Sequence, residues 1–383
     1  MRRRMVVLLV DALGWELAAR TPGFAAMLPE RRRLETILGF SSGALPTLFT
    51  GRMPAEHGRW LMYRRARRGT PFAGFGALAL LPPRLQRSWK LSRLLARAVR
   101  ARGVRGYFDL YDVPRPLLAA FDLAERDDIF APGGLPGDSL WDALERSNTR
   151  WRGWNWRTSE AGSLAALERA LESSQEDFLF CYTAGLDALL HREGSRGAGV
   201  RARLAAYDAW LDRLARAAAR RGEELWLYLL SDHGMVDVTS TVDVMGRLGG
   251  LAARWPREYL PFFDSTMARF WWRGAGARDA VRTALADLPG GRWLDDAELE
   301  WAGARFARHD YGEDVWLLDP GALMVPSFMG ARPVAAMHGY DAAHPDMAAL
   351  LWSNRPVPAE VTHLRDVRGF LERELGALGA EAA

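Results

Sequence analysis

Apolar residues gather into short unbroken runs at the start and middle of the chain, and each run leads into carboxylates or imidazoles. Met5–Val10 is a continuous run of methionine, valine and leucine, the pattern of a strand buried on both faces of a parallel sheet. Phe178–Tyr182 and Leu225–Leu230 repeat it. Asp11 follows the first run, Asp187 and His191 the second, and Asp232 and His233 the third. Between the last two runs the period becomes helical. Leu204, Tyr207, Trp210, Leu211 and Leu214 form a stripe over residues 200–220, against an arginine-rich opposite face. Strands alternating with helices predict a layered α/β domain. In open sheets of that kind ligands collect at the carboxyl ends of strands, which makes the residues ending each run the first functional candidates.

Two stretches break the alternation. Residues 61–136, rich in Phe, Leu, Pro and Arg, read as a lid inserted into the core. Within it, Arg84–Arg97 is basic and amphipathic. The basic stretch to Arg105 reads as a solvated helix face, with a lid that gathers an anionic or lipid-linked substrate as the less favoured alternative and membrane-surface contact less favoured still. Residues 259–333 carry the aromatic run Phe270-Trp271-Trp272 and a helical pattern near 277–288, and read as a small α+β subdomain. The catalytic core is then 1–60, 137–258 and 334–383, with a C-terminal helix over 367–378 as a surface layer.

Composition changes this picture little. At 383 residues the chain exceeds the usual size of a single core, so insertions or a second domain are expected. Hydrophobic residues make up 49% and charged residues 26%, as in ordinary soluble enzymes. Lys and Arg number 51 against 47 Asp and Glu; the resulting +4 is too small to indicate nucleic-acid binding, though it suits an anionic substrate. Cys181, the single cysteine, excludes an intramolecular disulfide, fits a reducing compartment and reads as core. Three arginines open the chain, but only Val6–Val10 separate them from Asp11. A secretory signal needs an apolar stretch of about 7–15 residues, and no run spans a bilayer, so a cytoplasmic location is expected.

Each candidate has an ordinary reading when taken alone. Asp11 suits a loop or helix cap, Asp187 and His191 a surface pair one turn apart, Asp232-His233 a turn, and His338 a satisfied buried histidine. His57, His309, His344 and His363 read as structural. Taken together, Asp11, Asp187, His191, Asp232, His233 and His338 are a mixed oxygen and nitrogen set suited to two divalent ions. Aspartate with neutral histidine favours zinc over magnesium, with manganese or iron as alternatives. Ser41 adds a hydroxyl, a poor nucleophile at neutral pH that a nearby divalent ion activates.

The segment Gly39-Phe40-Ser41-Ser42-Gly43-Ala44-Leu45-Pro46-Thr47-Leu48-Phe49-Thr50-Gly51, followed by Pro54-Ala55-Glu56-His57-Gly58, resembles the nucleophile helix and Thr-Gly turn of the alkaline phosphatase superfamily. The likeness is strongest to its type I phosphodiesterase/nucleotide pyrophosphatase and sulfatase-like branches, the first of them favoured. Asp187-x-x-x-His191, Asp232-His233-Gly234-Met235 and His338-Gly339-Tyr340 resemble the remaining ligand segments, in the same order. The resemblance covers roughly residues 5–60 and 178–345. It implies a three-layer α/β/α sandwich around a mostly parallel sheet. It also implies one ion on Asp187, His191 and His338, and a second on Asp11, Asp232 and His233. Ser41 would ligate the second ion and form a phospho-serine intermediate; Ser42 is the adjacent alternative.

Phosphorus chemistry is favoured over sulfate. Ser41 is followed by Ser42-Gly43-Ala44-Leu45, which lacks the x-Pro-x-Arg signal that sulfatases need for formylglycine. The nucleotide pyrophosphatase branch carries asparagine three residues after its nucleophile, where this chain has Ala44, so a nucleotide substrate does not transfer directly. The expected function is a metal-dependent hydrolase of phosphate esters, favouring diesters, on a small-molecule or lipid- or glycan-linked substrate. Three alternatives stand beside it: a phosphomonoesterase, a phosphotransferase to a glycan or lipid acceptor, and a metal-free interaction protein with a degenerate site.

Overall fold

The apolar run that opens the chain becomes an inner strand, buried along nearly its whole length. The computed structural model describes residues 2–380. Its central sheet holds β1 (Arg3–Val10), β2 (Glu30–Leu34), β3 (Trp151–Trp154), β4 (Phe178–Thr183), β5 (Glu224–Ser231) and β6 (Ala349–Ser353). The strand order is β2-β6-β5-β1-β4-β3. β1 pairs in parallel with β4 and β5, and β3 in parallel with β4. Only β6 runs backward, antiparallel to β5 and β2.

Alternation along β1 divides the core between the two faces. Met5, Val7 and Leu9 pack with Leu45, Leu48 and Phe49 of α1 (Ser41–Thr50) and with Val367, Phe370 and Leu371 of α6 (Leu364–Ala380). Val6, Leu8 and Val10 face the other way, onto the layer containing α3 (Glu160–Ser173), α4 (Gly185–Glu193) and α5 (Ala198–Arg220). The five stripe residues of α5 are all buried there. The result is the three-layer α/β/α sandwich around a mostly parallel sheet. Cys181 sits within β4 in this second layer's core, where burial pushes its thiol up and keeps it inert.

The aromatic run Phe270-Trp271-Trp272 lies in an antiparallel four-stranded sheet of Tyr259–Phe263, Met267–Trp272, Asp314–Leu318 and Gly291–Trp293. Residues 61–136 and 259–333 share one apolar cluster. Tyr63 stacks on Phe262 at 5.0 Å and Phe121 meets the same ring edge-on, while Leu95 and Val99 anchor α2 (Trp89–Ala101) in that cluster. One side chain ties the two stretches together. Arg269 is fully buried, with Nε on the Asp264 carboxylate at 2.7 Å and Nη1 on the Tyr63 and Tyr311 carbonyls at 2.8 and 3.2 Å.

A buried charge pair loses more when half of it is removed than it contributes intact, because the survivor stays desolvated. Arg269→Ala is therefore expected to destabilise the protein by about 3–5 kcal/mol. Urea unfolding followed by tryptophan fluorescence checks it, and an unchanged midpoint would remove Arg269 as the tie.

Candidate metal centre

Three of the parallel strands deliver their ligands directly at their carboxyl ends. Asp11 follows β1, and Ala12 takes a positive φ of 60°, turning the chain away at once. Asp187 and His191 lie one turn apart on α4, which follows β4. Asp232 and His233 follow β5. Ser41 starts α1 in the segment after β2. His338 instead precedes its strand, β6, because that strand runs backward and begins at the same edge of the sheet. A two-residue bridge, Ala336–Met337 against Val236–Asp237, pins it beside the loop that carries His233.

The six ligand side chains form two groups. In the first, His191 Nε2 lies 3.3 Å and His338 Nε2 3.7 Å from Asp187 Oδ1. In the second, His233 Nε2 lies 3.3 Å from Asp11 Oδ1 and 3.4 Å from Asp232 Oδ2. Ligand atoms within each group all lie within 4.8 Å of one another. The groups are adjacent, since the His233 and His338 rings stack at 3.9 Å. Ser41 Oγ lies 2.9 Å from His233 Nε2, whereas Ser42 Oγ donates to the Trp60 carbonyl at 3.2 Å.

Backbone and neighbouring side chains hold this arrangement. The Nδ1 atoms of His191 and His233 face the carbonyls of Ala336 at 2.8 Å and Gly234 at 3.0 Å. A proton on each Nδ1 leaves the Nε2 lone pair pointing into the site. Thr36 donates to the Asp232 carbonyl at 2.6 Å, and Ser231 to that of His233 at 2.7 Å. Gly14, at φ 57°, approaches so closely that a Cβ there would come within 2.5 Å of Gly234 Cα. Glu160 receives the Gly185 N–H at the start of α4 at 3.0 Å and the Tyr207 hydroxyl at 2.9 Å.

The electrostatics fit cations. Burial, with the charges of Asp232 and Asp187 added, holds the Asp11 carboxyl well above its ordinary range. Burial raises Asp232 too, against the pull of His233. Burial beside His233 and His191 holds His338 well below the usual imidazole range, in the neutral form that ligates metals. Asp11 Oδ1, Asp187 Oδ1, both Asp232 oxygens and His338 Nδ1 are buried without a hydrogen-bond partner among the described residues. Buried polar atoms are ordinarily satisfied. Three converging carboxylates and three imidazoles, with these atoms orphaned among them, match a pair of divalent ions held by oxygen and nitrogen.

Other residues of the site were not evident from the sequence. The Tyr182 hydroxyl donates to Asp11 Oδ2 through a short contact; its one signal was a tyrosine near the end of an otherwise apolar strand. A cavity of about 450 Å³ opens over Ser41, Asp187 and His338. Its wall includes Tyr107, Tyr111, Phe130, Trp156 and Met324, together with Glu125. Burial pushes the Glu125 carboxyl up to about 7 while it accepts the Tyr107 N–H at 2.7 Å. No spacing rule marked these positions. The remaining histidines serve structure. His57 is buried against the Thr47 hydroxyl at 3.0 Å and pushed down to about 3, chiefly by burial. His344 and His363 accept nearby backbone N–H groups, and the His309 carbonyl receives Trp271 Nε1–H.

A family model described as type I phosphodiesterase / nucleotide pyrophosphatase matches residues 5–252, a span holding every site residue above up to His233. No curated protein matches the sequence. Among solved structures, human ectonucleotide pyrophosphatase / phosphodiesterase 5 is similar, with a TM-score of 0.67 and 14% identity over 98% of this chain and 95% of its own. The murine counterpart gives 0.66 at 15% identity with the same coverage, both by itself and as an inactive variant in complex with AMP. At these identities the likeness establishes the fold.

Asp11→Asn separates the two roles of the carboxylate cluster. In chelator it is expected to raise stability by relieving buried like charges. It should also abolish the gain in Tm that zinc gives the unmodified protein. Thermal melts with and without metal check both, and a destabilised variant in chelator would contradict the charge argument.

Proposed function

The chain belongs to the type I phosphodiesterase / nucleotide pyrophosphatase family and is a phosphoric ester hydrolase, and we propose that it is a metal-dependent phosphodiesterase with Ser41 as nucleophile. One observation carries this reading. Ser41 stands at the start of α1 with its hydroxyl 2.9 Å from His233 Nε2, beside the two ligand groups, while Ser42 is committed to a backbone carbonyl. Asp187, His191 and His338 would hold one ion and Asp11, Asp232 and His233 the other. Bound there, a divalent pair supplies the positive charge that favours a serine alkoxide and offsets charge at phosphorus.

The chain's own groups do the rest. Ser41 Oγ forms a bond to phosphorus as the bond to one ester oxygen breaks, and the hydroxyl proton ends on the departing alcohol. The N-terminus of α1 turns its partial positive charge toward the phosphoryl oxygens. Water then attacks phosphorus on the opposite side, the Ser41 Oγ–P bond breaks, Ser41 regains a proton and a phosphomonoester departs. His233, with its Nδ1 facing the Gly234 carbonyl, keeps its Nε2 lone pair turned into the ligand group beside Ser41.

The cavity wall favours a diester over a monoester. Arg332 is its single basic side chain, against Asp11, Asp187, Asp264 and Glu125, and most of the remaining surface is apolar or aromatic. A monoanion with two organic substituents loses less on entering such a site than a dianion does. Ala44, buried where the nucleotide pyrophosphatase branch has asparagine, offers no polar contact, so specificity rests on the aromatic wall. Nucleotide diesters nonetheless form the first substrate class to assay, given the murine neighbour seen with AMP.

With zinc or manganese present, bis-p-nitrophenyl phosphate should turn over faster than p-nitrophenyl phosphate. Ser41→Ala should lower kcat by at least about 10³-fold with metal content unchanged by elemental analysis, while Ser42→Ala keeps most of the activity. Substantial turnover by the Ser41→Ala protein would move the nucleophile elsewhere.

A further inference from the structure

From His57 to Phe108 the chain has thirteen basic residues and no acidic one. The other 331 residues hold 38 basic against 47 acidic side chains, so the overall excess of positive charge comes entirely from this stretch. Much of it falls on the turn and helix running from residue 80 to residue 97. Arg84, Arg87, Lys90, Arg93 and Arg97 are exposed and make no ion pair among the described residues; Lys90 is the chain's single lysine. Lys90 and Arg93 lie over the Trp89 ring, at 6.0 and 5.5 Å from its centroid.

The same surface carries apolar side chains turned outward. Leu80 is 89% exposed, Leu85 52%, Trp89 62% and Leu94 60%, and only three other large hydrophobic residues in the described chain are exposed. Single exposed leucines are unremarkable, but four large apolar groups among five unpaired cations within eighteen residues call for a partner. The segment is firmly seated. Leu95 and Val99 of α2 are buried in the cluster with Phe72, Phe75 and Leu117, and Arg115 Nη2 donates to Ser92 Oγ at 2.8 Å. What faces out is therefore a fixed surface.

We propose that this patch docks the protein on an anionic lipid bilayer, lying in the interface without crossing it. Charge complementarity selects a negatively charged partner. The interspersed tryptophan and leucines select one with an apolar interior within reach of a side chain, the composition of interfacial helices. No helix among the described residues is long and apolar enough to span a membrane. Residues 62, 107 and 111 of the same insertion line the cavity above Ser41, so docking would bring one wall of that cavity to the lipid surface. The proposal does not depend on the esterase chemistry.

Co-sedimentation of the full-length protein with lipid vesicles tests it. Vesicles of phosphatidylcholine containing about one-third phosphatidylglycerol should capture the protein at least about tenfold better than phosphatidylcholine alone, with capture reversed by high salt. The triple variant Leu85→Ser, Trp89→Ser, Leu94→Ser keeps every charge and should lose most of the capture, with an unchanged thermal melt. A polyanion-binding face such as one for nucleic acid would keep its affinity in that variant, which would overturn the proposal. So would absence of capture by the unmodified protein, or a dimerisation that the same three substitutions abolish. Since Cys181 is buried, Leu94→Cys can be labelled selectively with an environment-sensitive dye. A blue shift on adding anionic vesicles is expected, and an unshifted spectrum would also reject the proposal.

Discussion

Three carboxylates converging on one site, two of them buried, constrain everything else in this molecule. Asp11 and Asp232 are almost entirely shielded from solvent, and Asp187 stands within ion-pair distance of two imidazoles. Left to themselves such groups would separate or take up protons, since each buried charge costs several kcal/mol. The surroundings prevent the separation. β1 is locked between β4 and β5 by long parallel ladders, Thr36 and Ser231 bond the backbone of the Asp232-His233 pair, and Gly14 allows Gly234 to approach at a distance no side chain permits. The fold thus stores electrostatic free energy at a preorganised site whose charge complements cations.

Much of this was legible in the chain because strands buried on both faces write themselves as unbroken apolar runs. β1, β4 and β5, and the residues at their ends, could be placed from that pattern. His338 could not. It precedes the start of β6 at Ala349, whereas every other ligand follows its strand, so only likeness to a family motif marked it. The cavity wall was hidden for a different reason. Tyr107, Tyr111 and Glu125 come from an insertion whose packing partners, such as Phe262 and Phe263, lie far away in sequence, and no local period encodes a contact of that range. Tyr182 stood in view but read as one more apolar strand residue.

The insertion also divides the labour of recognition. Phosphorus chemistry belongs to the sheet edge, where geometry is rigid. Over it lies a cavity wall rich in aromatic side chains, much of it supplied by the inserted stretches. Arg269 joins the two inserted stretches to each other, since its carbonyl and carboxylate partners come from both.

The one backward strand has a consequence for biosynthesis. A ribosome releases Asp11, Ser41, Asp187 and His233 long before it reaches His338, and β6 comes later still. One candidate ligand group is therefore complete while the other still waits for His338, so a nascent chain stopped before that residue lacks the third member of that group. The order in which the ligand shell is completed thus follows from nothing more than the direction in which a single inner strand crosses the sheet.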